Sequence, residues 1–202
     1  MKKILITQRI DLIKEIKEER ESLDIRLMKM FSRIDMLPIQ ISIAASKDKK
    51  DIQNYISSLC PDGILLSGGN DLGQYPERDN LEKEILHLSE RENIPIFGIC
   101  RGLQVLNFFC EGSLIKVNGH CNTRHKIYGE EEFNNRVVNS FHNYGVFEQN
   151  LGKDLKPLAN SNDGCIEAIR HTKLPWMAIM WHPERESTLN NEDLKIIKEH
   201  FN

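Results

Sequence analysis

Three short stretches of the sequence carry side chains that can react or hold developing charge. The first is Gly98-Ile99-Cys100-Arg101-Gly102, which follows one apolar run and precedes another. A cysteine between glycines at a strand-to-helix junction has the layout of a nucleophile elbow. There a sharp turn holds the reactive side chain outward and the glycines give the backbone room. The helix N-terminus would add free N–H groups and a positive dipole end, which favour a thiolate, the reactive form. Outside such a setting a free cysteine is usually a small buried core residue. The second stretch is Trp181-His182-Pro183-Glu184, after a run ending at Met180. If the extended chain continues, residues two apart point the same way, so His182 and Glu184 lie side by side as a base and the carboxylate that orients it. An ordinary proline turn is the competing reading. The third is Ser67-Gly68-Gly69-Asn70-Asp71. Adjacent glycines let backbone N–H groups point into a cleft as donors to an oxyanion, where a tight turn would need nothing more than the same glycines. Neither common phosphate-loop pattern is present. A nucleophile, a His/carboxylate pair and a donor loop together specify nucleophilic acyl transfer.

Further basic and polar residues exceed what a small amide substrate needs. Arg9 follows the first strand, and Arg20 and Arg26 lie on the expected first helix. His120, Asn122, Arg124 and His125 are expected in a loop after the middle of the sheet. Arg and His at strand ends suit phosphate, although most such charges are solvated surface groups. His120 and His125 come without a partnered carboxylate or cysteine pattern, so no metal site is expected from the sequence.

The elements that must position these residues alternate. Residues 3–7 read as a short buried strand. Leu12 to Ile34 reads as a charged helix, with Ile16, Leu23, Leu27, Met30 and Ile34 at helical spacing. Met36–Ile43 is apolar, Lys49–Leu59 helical, and Gly63–Ser67 a strand ending in Gly68-Gly69. Asp79 with Glu82 suggests a capping-box start for a helix with Leu81, Ile85 and Leu88 inward. Ile94–Ile99 is a strand, and Leu103 to Phe109 a helix apolar nearly all round. The second half is richer in strands, at 114–117, 136–139, 165–170 and 177–181, and a helix spans 191–201. This order predicts an α/β fold with a mainly parallel central sheet and helices on both faces, in one domain over residues 1–202. Ligands in such sheets sit at the carboxyl ends of strands, where all three stretches fall.

Composition narrows the function classes. The 202 residues are 40% hydrophobic and 28% charged, with 27 basic against 30 acidic side chains and a formal net charge of −3. That balance excludes bulk affinity for nucleic acid or an anionic membrane. Cys60, Cys100, Cys110, Cys121 and Cys165 are odd in number and lack a C-x-x-C pair, so neither a disulfide framework nor a structural zinc site is expected, and a reducing cytoplasm fits. No apolar run is long enough for a signal peptide or a membrane span.

Leu66-Ser-Gly-Gly69, Gly98-Ile-Cys-Arg-Gly-Leu-Gln104, Val138-Asn-Ser-Phe-His142 and Trp181-His-Pro-Glu184 resemble, in order, the motifs of the class I glutamine amidotransferase domain, within it the γ-glutamyl hydrolase branch (peptidase family C26). The resemblance implies a flavodoxin-like fold, no cofactor, Cys100 as nucleophile, His182 as general base and acid, and Glu184 as its orienter. It also implies an oxyanion hole from the N–H groups of Gly69 and Arg101, and a glutamyl subsite from Gln104 and the backbone at Asn143 and Tyr144. The reaction implied is cleavage of a γ-glutamyl amide through a thioester on Cys100. Ile6-Thr-Gln-Arg9, Asn118-Gly-His120 and Asn122-Thr-Arg-His125 resemble the members that cleave CDP-glutamine in capsular phosphoramidate biosynthesis. On that likeness the expected partner is a small nucleotide-linked γ-glutamyl substrate, met by Arg9, His120, Arg124 and His125. The family also contains glutaminase subunits that pass ammonia to a synthetase partner, and hydrolases of other amides such as γ-glutamyl-γ-aminobutyrate.

Overall fold

The computed structural model describes residues 1–44 and 48–202. Strand β1 (Lys2–Ile6) is followed by β2 (Arg9–Ile13), β3 (Glu18–Ser22), helix α1 (Ile25–Arg33) and β4 (Met36–Gln40). Helix α2 (Lys49–Ser58), β5 (Gly63–Leu66), α3 (Pro76–Glu92), β6 (Ile96–Ile99) and α4 (Arg101–Phe109) continue the alternation. The second half holds β7 (Ile115–Lys116), β8 (Cys121–Gly129), β9 (Arg136–Phe141), β10 (Tyr144–Gly145), β11 (Leu155–Ser161), β12 (Ile166–His171) and β13 (Trp176–Ile179), then α5 (Asn191–His200).

Nine strands form one sheet in the order β4-β1-β5-β6-β13-β12-β11-β8-β9. β4, β1, β5, β6 and β13 run parallel, and the remaining four extend the sheet antiparallel. The inner parallel strands β5, β6 and β13 are buried at every position, as strands covered on both faces must be. Side chains alternate between two cores. Ile4, Ile6, Leu65, Phe97 and Ile179 meet Leu27, Met30 and Phe31 of α1 and Ile196 and Ile197 of α5. Leu5, Ile64, Leu66, Ile96 and Ala178 meet Ile52 and Ile56 of α2, Leu81 and Ile85 of α3, and Leu103, Val105 and Leu106 of α4. Helices thus cover both faces, as the alternation predicts. Pro38, which cannot donate to a ladder, sits on the edge strand β4.

Three expected elements are corrected. Leu12 to Ile34 is not one helix. Residues 9–22 form a hairpin, pairing Ile10 with Glu21 and Leu12 with Glu19, and the turn between its strands holds Lys17 at φ 52. The helix begins only where the Asp24 side chain accepts from Arg26 N–H, so Arg26 lies on α1 but Arg20 lies on β3. Leu12 and Ile16, two of the residues that suggested a helical stripe, are largely exposed. Helix α3 starts at Pro76, three residues before Asp79, because proline's fixed φ and missing N–H suit the first helical position. Glu82 caps nothing and is drawn into the interior. Finally, α4, whose apolar pattern predicts burial in the middle of the fold, is not buried all round, since Phe108 is 65% exposed.

The junction of β6 and α4 is packed to backbone contact. A Cβ on Gly98 would lie 2.7 Å from the Gly102 carbonyl carbon, and one on Gly102 would lie 2.4 Å from the Leu66 carbonyl oxygen. Gly102→Ala should therefore push α4 away from the sheet. The expected loss is about 1–3 kcal/mol, which calorimetry would register as a fall of several degrees in Tm. An unchanged Tm would show that this contact yields freely.

Candidate active site

The elbow at Cys100 is strained. Cys100 has φ 52 and ψ −100, a region that side-chain-bearing residues enter only under constraint, at a cost of about 1–3 kcal/mol. The constraint comes from both sides. Cys100 N–H donates to Ile179 O on β13 at 2.8 Å, and Cys100 O accepts from Leu103 and Gln104 N–H at 3.0 and 3.3 Å in the first turn of α4. The strand-to-helix switch thus occurs within one residue, with the thiol at the helix N-terminus.

The extended conformation does not continue past β13. Pro183–Arg185 form a 3-10 turn, to which proline's fixed φ is suited. The turn still brings the pair together, with His182 Nδ1 and Glu184 Oε1 2.6 Å apart. Nδ1 therefore donates to the carboxylate and Nε2 is left for the cleft. A Cβ on Gly68 would lie 2.8 Å from His182 Cε1, 3.6 Å from its Nε2 and 3.7 Å from Cys100 Cβ, so the glycine keeps open the space where imidazole and cysteine meet. Burial by itself would keep His182 neutral. The charges of Cys100 and Glu184 and hydrogen bonds to both outweigh it and raise the imidazole to about 9. Asn139 on β9 fixes the backbone of the same residue. It accepts from His182 N–H at 2.9 Å and donates to His182 O at 2.8 Å. The sequence motif around Asn139 was visible, but nothing local to it signalled this clamp.

A buried ion network underlies the Ser67–Asn70 loop. Arg78 is fully buried and donates to the carbonyls of Ser67 at 2.8 Å, Gly68 at 3.1 Å and Gly69 at 2.5 Å. The C=O and N–H of a trans peptide point in opposite directions. Pulling Gly68 O inward therefore turns Gly69 N–H outward, toward the cleft. Gly69 itself has φ 81, which glycine adopts freely. Arg101 N–H, at the first position of α4, has no intrahelical acceptor. Gly69 and Arg101 line the same cleft. The Arg101 side chain turns away from the cleft to ion-pair with Glu82 and Asp79. Arg78 pairs with Glu82 at 3.1 Å, and Thr7 Oγ1 donates to Glu82 at 2.8 Å. Burial pulls Arg78 down to about 10 against the attraction of Glu82. It would also raise Glu82, but Arg101 and Arg78 hold that carboxylate below its ordinary range. Two cations and two anions balance in this pocket, as buried charges require. The role of this helical pair is not legible locally, because the loop carbonyls that Arg78 holds and the Thr7 and Arg101 side chains that meet Glu82 come from other elements.

Two adjoining clefts, of about 240 and 270 Å³, share Arg9, Gly69, His182 and Arg185. Cys100, Gln104, His142 and Asn143 line the second. Gln104 Nε2 donates to Tyr144 O at 3.0 Å, joining α4 to the 143–144 segment. Arg9 packs over Gly69 and ion-pairs with Asp11 at 2.7 Å. Arg185, which sequence reasoning passed over, lies 4.7 Å over the Phe141 ring, and its Nε is buried with no hydrogen-bond partner. The other basic residues of the sequence reading are engaged elsewhere. Arg124 meets Glu186 at 2.9 Å, Arg20 pairs with Glu18, and Arg26 with Asp24. Asn122 is exposed on β8. His120 and His125 do not line either cleft; they gather with His142 around the buried Glu167.

Comparison with known proteins places this geometry in a family. The model of the class I glutamine amidotransferases matches residues 18–201. Gamma-glutamyl-CDP-amidate hydrolase of Campylobacter jejuni is 33% identical, over 97% of this chain and 96% of that protein. The carbamoyl phosphate synthase small chain of Gracilaria tenuistipitata is 29% identical over 81% of this chain, which spans 40% of its length. Among solved structures, the glutaminase domain of Trypanosoma brucei CTPS superposes with a TM-score of 0.72 at 16% identity, covering 99% of this chain and 94% of that one. A glutamine amidotransferase from Thermotoga maritima gives 0.66 at 13% identity, covering 98% and 82%. These two share the fold. With a family match over nearly its whole length and a full-length relative above 30% identity, the chain is an enzyme of the class I glutamine amidotransferase family.

Proposed function

We propose that the chain hydrolyses a γ-glutamyl amide whose nitrogen carries an anionic, nucleotide-linked substituent, with CDP-glutamine as substrate and glutamate and cytidine diphosphoramidate as products. The observation that carries the reading is the convergence at one cleft of Cys100 on its strained elbow, the 2.6 Å His182–Glu184 pair, and the two arginines Arg9 and Arg185. The near-full-length likeness to a γ-glutamyl-CDP-amidate hydrolase supports it. Carbamoyl phosphate synthase small chains among the relatives favour a second reading, a glutaminase that supplies ammonia to a synthetase partner.

In this mechanism the Cys100 thiolate attacks the γ-carbonyl carbon, and the carbonyl oxygen takes the negative charge opposite Gly69 and Arg101 N–H. The C–N bond breaks as His182 Nε2 passes its proton to the departing nitrogen, leaving a γ-glutamyl thioester. Glu184 stabilises the imidazolium before the transfer and holds the ring afterward. The now neutral imidazole takes a proton from water, whose oxygen attacks the thioester. Collapse of the second oxyanion releases glutamate and restores the ion pair. Gln104 and the 143–144 backbone hold the glutamyl end, while Arg9 and Arg185 face the diphosphate with charge-assisted hydrogen bonds. Five unpaired cysteines, two of them exposed, suit a reducing cytoplasm. No helix among the described residues is long and apolar enough to cross a membrane.

Cys100→Ala should lower glutamate release on the order of 10⁴-fold or more, because triad members act as a unit; retention of activity would remove the nucleophile. The raised His182 sets the sign of the pH dependence. The protonated form that must donate to the leaving nitrogen persists up to about pH 9, so kcat/KM should hold through neutrality and fall as pH rises through about 9. A fall centred near 6.5 would show that the ion pair does not form. Arg9→Ala and Arg185→Ala should each lower kcat/KM for CDP-glutamine roughly 10- to 100-fold, the size of a lost charged hydrogen bond, and leave glutamine hydrolysis within a few fold. Equal losses on CDP-glutamine, γ-glutamyl-γ-aminobutyrate and glutamine would overturn the role of the arginines. Glutamine turnover that appears only with an added synthetase would overturn free-standing hydrolysis.

A further inference from the structure

Beneath the wall that carries Asn143 and Tyr144, four side chains converge that the mechanism does not use. His120 precedes β8, His125 lies on it, His142 follows β9, and Glu167 projects from β12. His120 Nδ1, His125 Nε2 and His142 Nε2 stand 3.5, 3.4 and 3.5 Å from the same oxygen, Glu167 Oε1. None of these nitrogens has a hydrogen-bond partner, nor does either oxygen of Glu167, although all are buried. Five unpaired buried polar atoms in one place require an explanation.

Hydrogen bonding supplies no such explanation. Imidazolium–carboxylate bonds run at about 2.7–2.9 Å, well inside the distances here. The outward nitrogens also fix the tautomers. His120 Nε2 is 2.9 Å from Asp163 Oδ2, and His142 Nδ1 is 3.0 Å from Tyr144 O. Each of those nitrogens donates its proton to the oxygen it meets. In the neutral rings the inward nitrogens then carry lone pairs, and these face the lone pairs of a carboxylate. A cation between them removes the repulsion. Three imidazolium protons would leave two net positive charges in a buried pocket, whereas one divalent ion with one carboxylate leaves a single charge. The spacing of His120, His125 and Glu167 agrees with the ion. Zinc bonds nitrogen and carboxylate oxygen at about 2.0–2.1 Å, so neighbouring ligands stand about 3.3–3.4 Å apart; the two histidine nitrogens stand 3.5 and 3.4 Å from Glu167 Oε1, and the ligand atoms of the three residues all lie within 4.8 Å of one another. The Asp163 carboxylate behind His120 is the outer partner that a metal-bound histidine usually has.

We propose that His120, His125 and Glu167 bind one zinc ion in a buried structural site, with His142 set against the same carboxylate oxygen. The two histidines visible in the sequence lacked a carboxylate partner; the fold supplies it from Glu167. The ion ties β8 to β12. By fixing Glu167 it also holds the surroundings of His142, whose Nδ1 donates to the Tyr144 carbonyl that accepts from Gln104. The zinc site is thus a positioning device for the cleft wall and takes no part in bond making.

The test uses the full chain without a polyhistidine tag, in a Cys100→Ser background so that the cleft thiol cannot hold the metal. Elemental analysis after incubation with Zn²⁺ and gel filtration should find one zinc per chain. Replacement by Co²⁺ should give the intense visible bands of a tetrahedral site. Glu167→Gln and the less buried His125→Asn should each lose most of the metal, and a strong chelator should lower the Tm of the parent chain but not of either variant. A parent chain that retains neither Zn²⁺ nor Co²⁺ overturns the proposal. So does full retention of metal by His125→Asn, which also decides the matter if Glu167→Gln fails to fold.

Discussion

Arg78 is the interaction on which the rest of the cleft depends. Its guanidinium takes up three successive carbonyls of the Ser67–Gly69 turn, and a chain whose carbonyls all point inward must present its N–H groups outward. The turn has no helix or ladder to hold it in that pose. A charged side chain with five donors in a rigid fork can do so, where a lysine would satisfy fewer carbonyls with less directionality. Burying that charge is costly. Glu82 answers it, Arg101 answers Glu82, and Asp79 completes the balance. The last arginine starts the helix that carries Cys100, so one network spans both walls. A displacement of either wall would leave a charge unpaired in the interior, which is far more costly than the loss of an exposed pair.

The same logic of shared constraint governs the opposite side. Cys100 is held in an unfavourable conformation by hydrogen bonds to β13 behind it and α4 ahead of it. His182 is held by Asn139 through its backbone and by Glu184 through its ring. Neither residue is positioned by its own loop alone. The glycines at 68, 98 and 102 are the complement of this rigidity, because each marks a place where a single added methyl would meet the His182 ring, the start of α4 or the end of β5.

What could be read from the sequence was what depended on neighbours in the chain. The strand ends, the glycine-flanked cysteine and the His-Pro-Glu turn are local patterns, and local physics sets them. Residues 12–34 misled because an alternating hairpin followed by a short amphipathic helix can place apolar residues at helical intervals by coincidence. Arg78, Asn139 and Arg185 looked like ordinary polar residues, since the carbonyls, backbone and ring they meet come from other elements. Arg124 and His125 are adjacent in sequence and point to opposite faces of β8, so a single basic cluster in the sequence became an exposed ion pair and a buried imidazole.

The strand order has a consequence for the life of the chain before it is complete. Among the described residues β13 is the strand furthest along the chain, yet it lies in the middle of the sheet, between β6 and β12. Until residues 176–179 leave the ribosome, β6 is an open edge, and the backbone bond that helps hold Cys100 in its strained pose has no acceptor. His182 and Glu184 follow immediately behind that strand. A nascent or truncated chain therefore leaves β6 as a sticky edge and Cys100 without one of the backbone bonds that fix its conformation, and one insertion settles both.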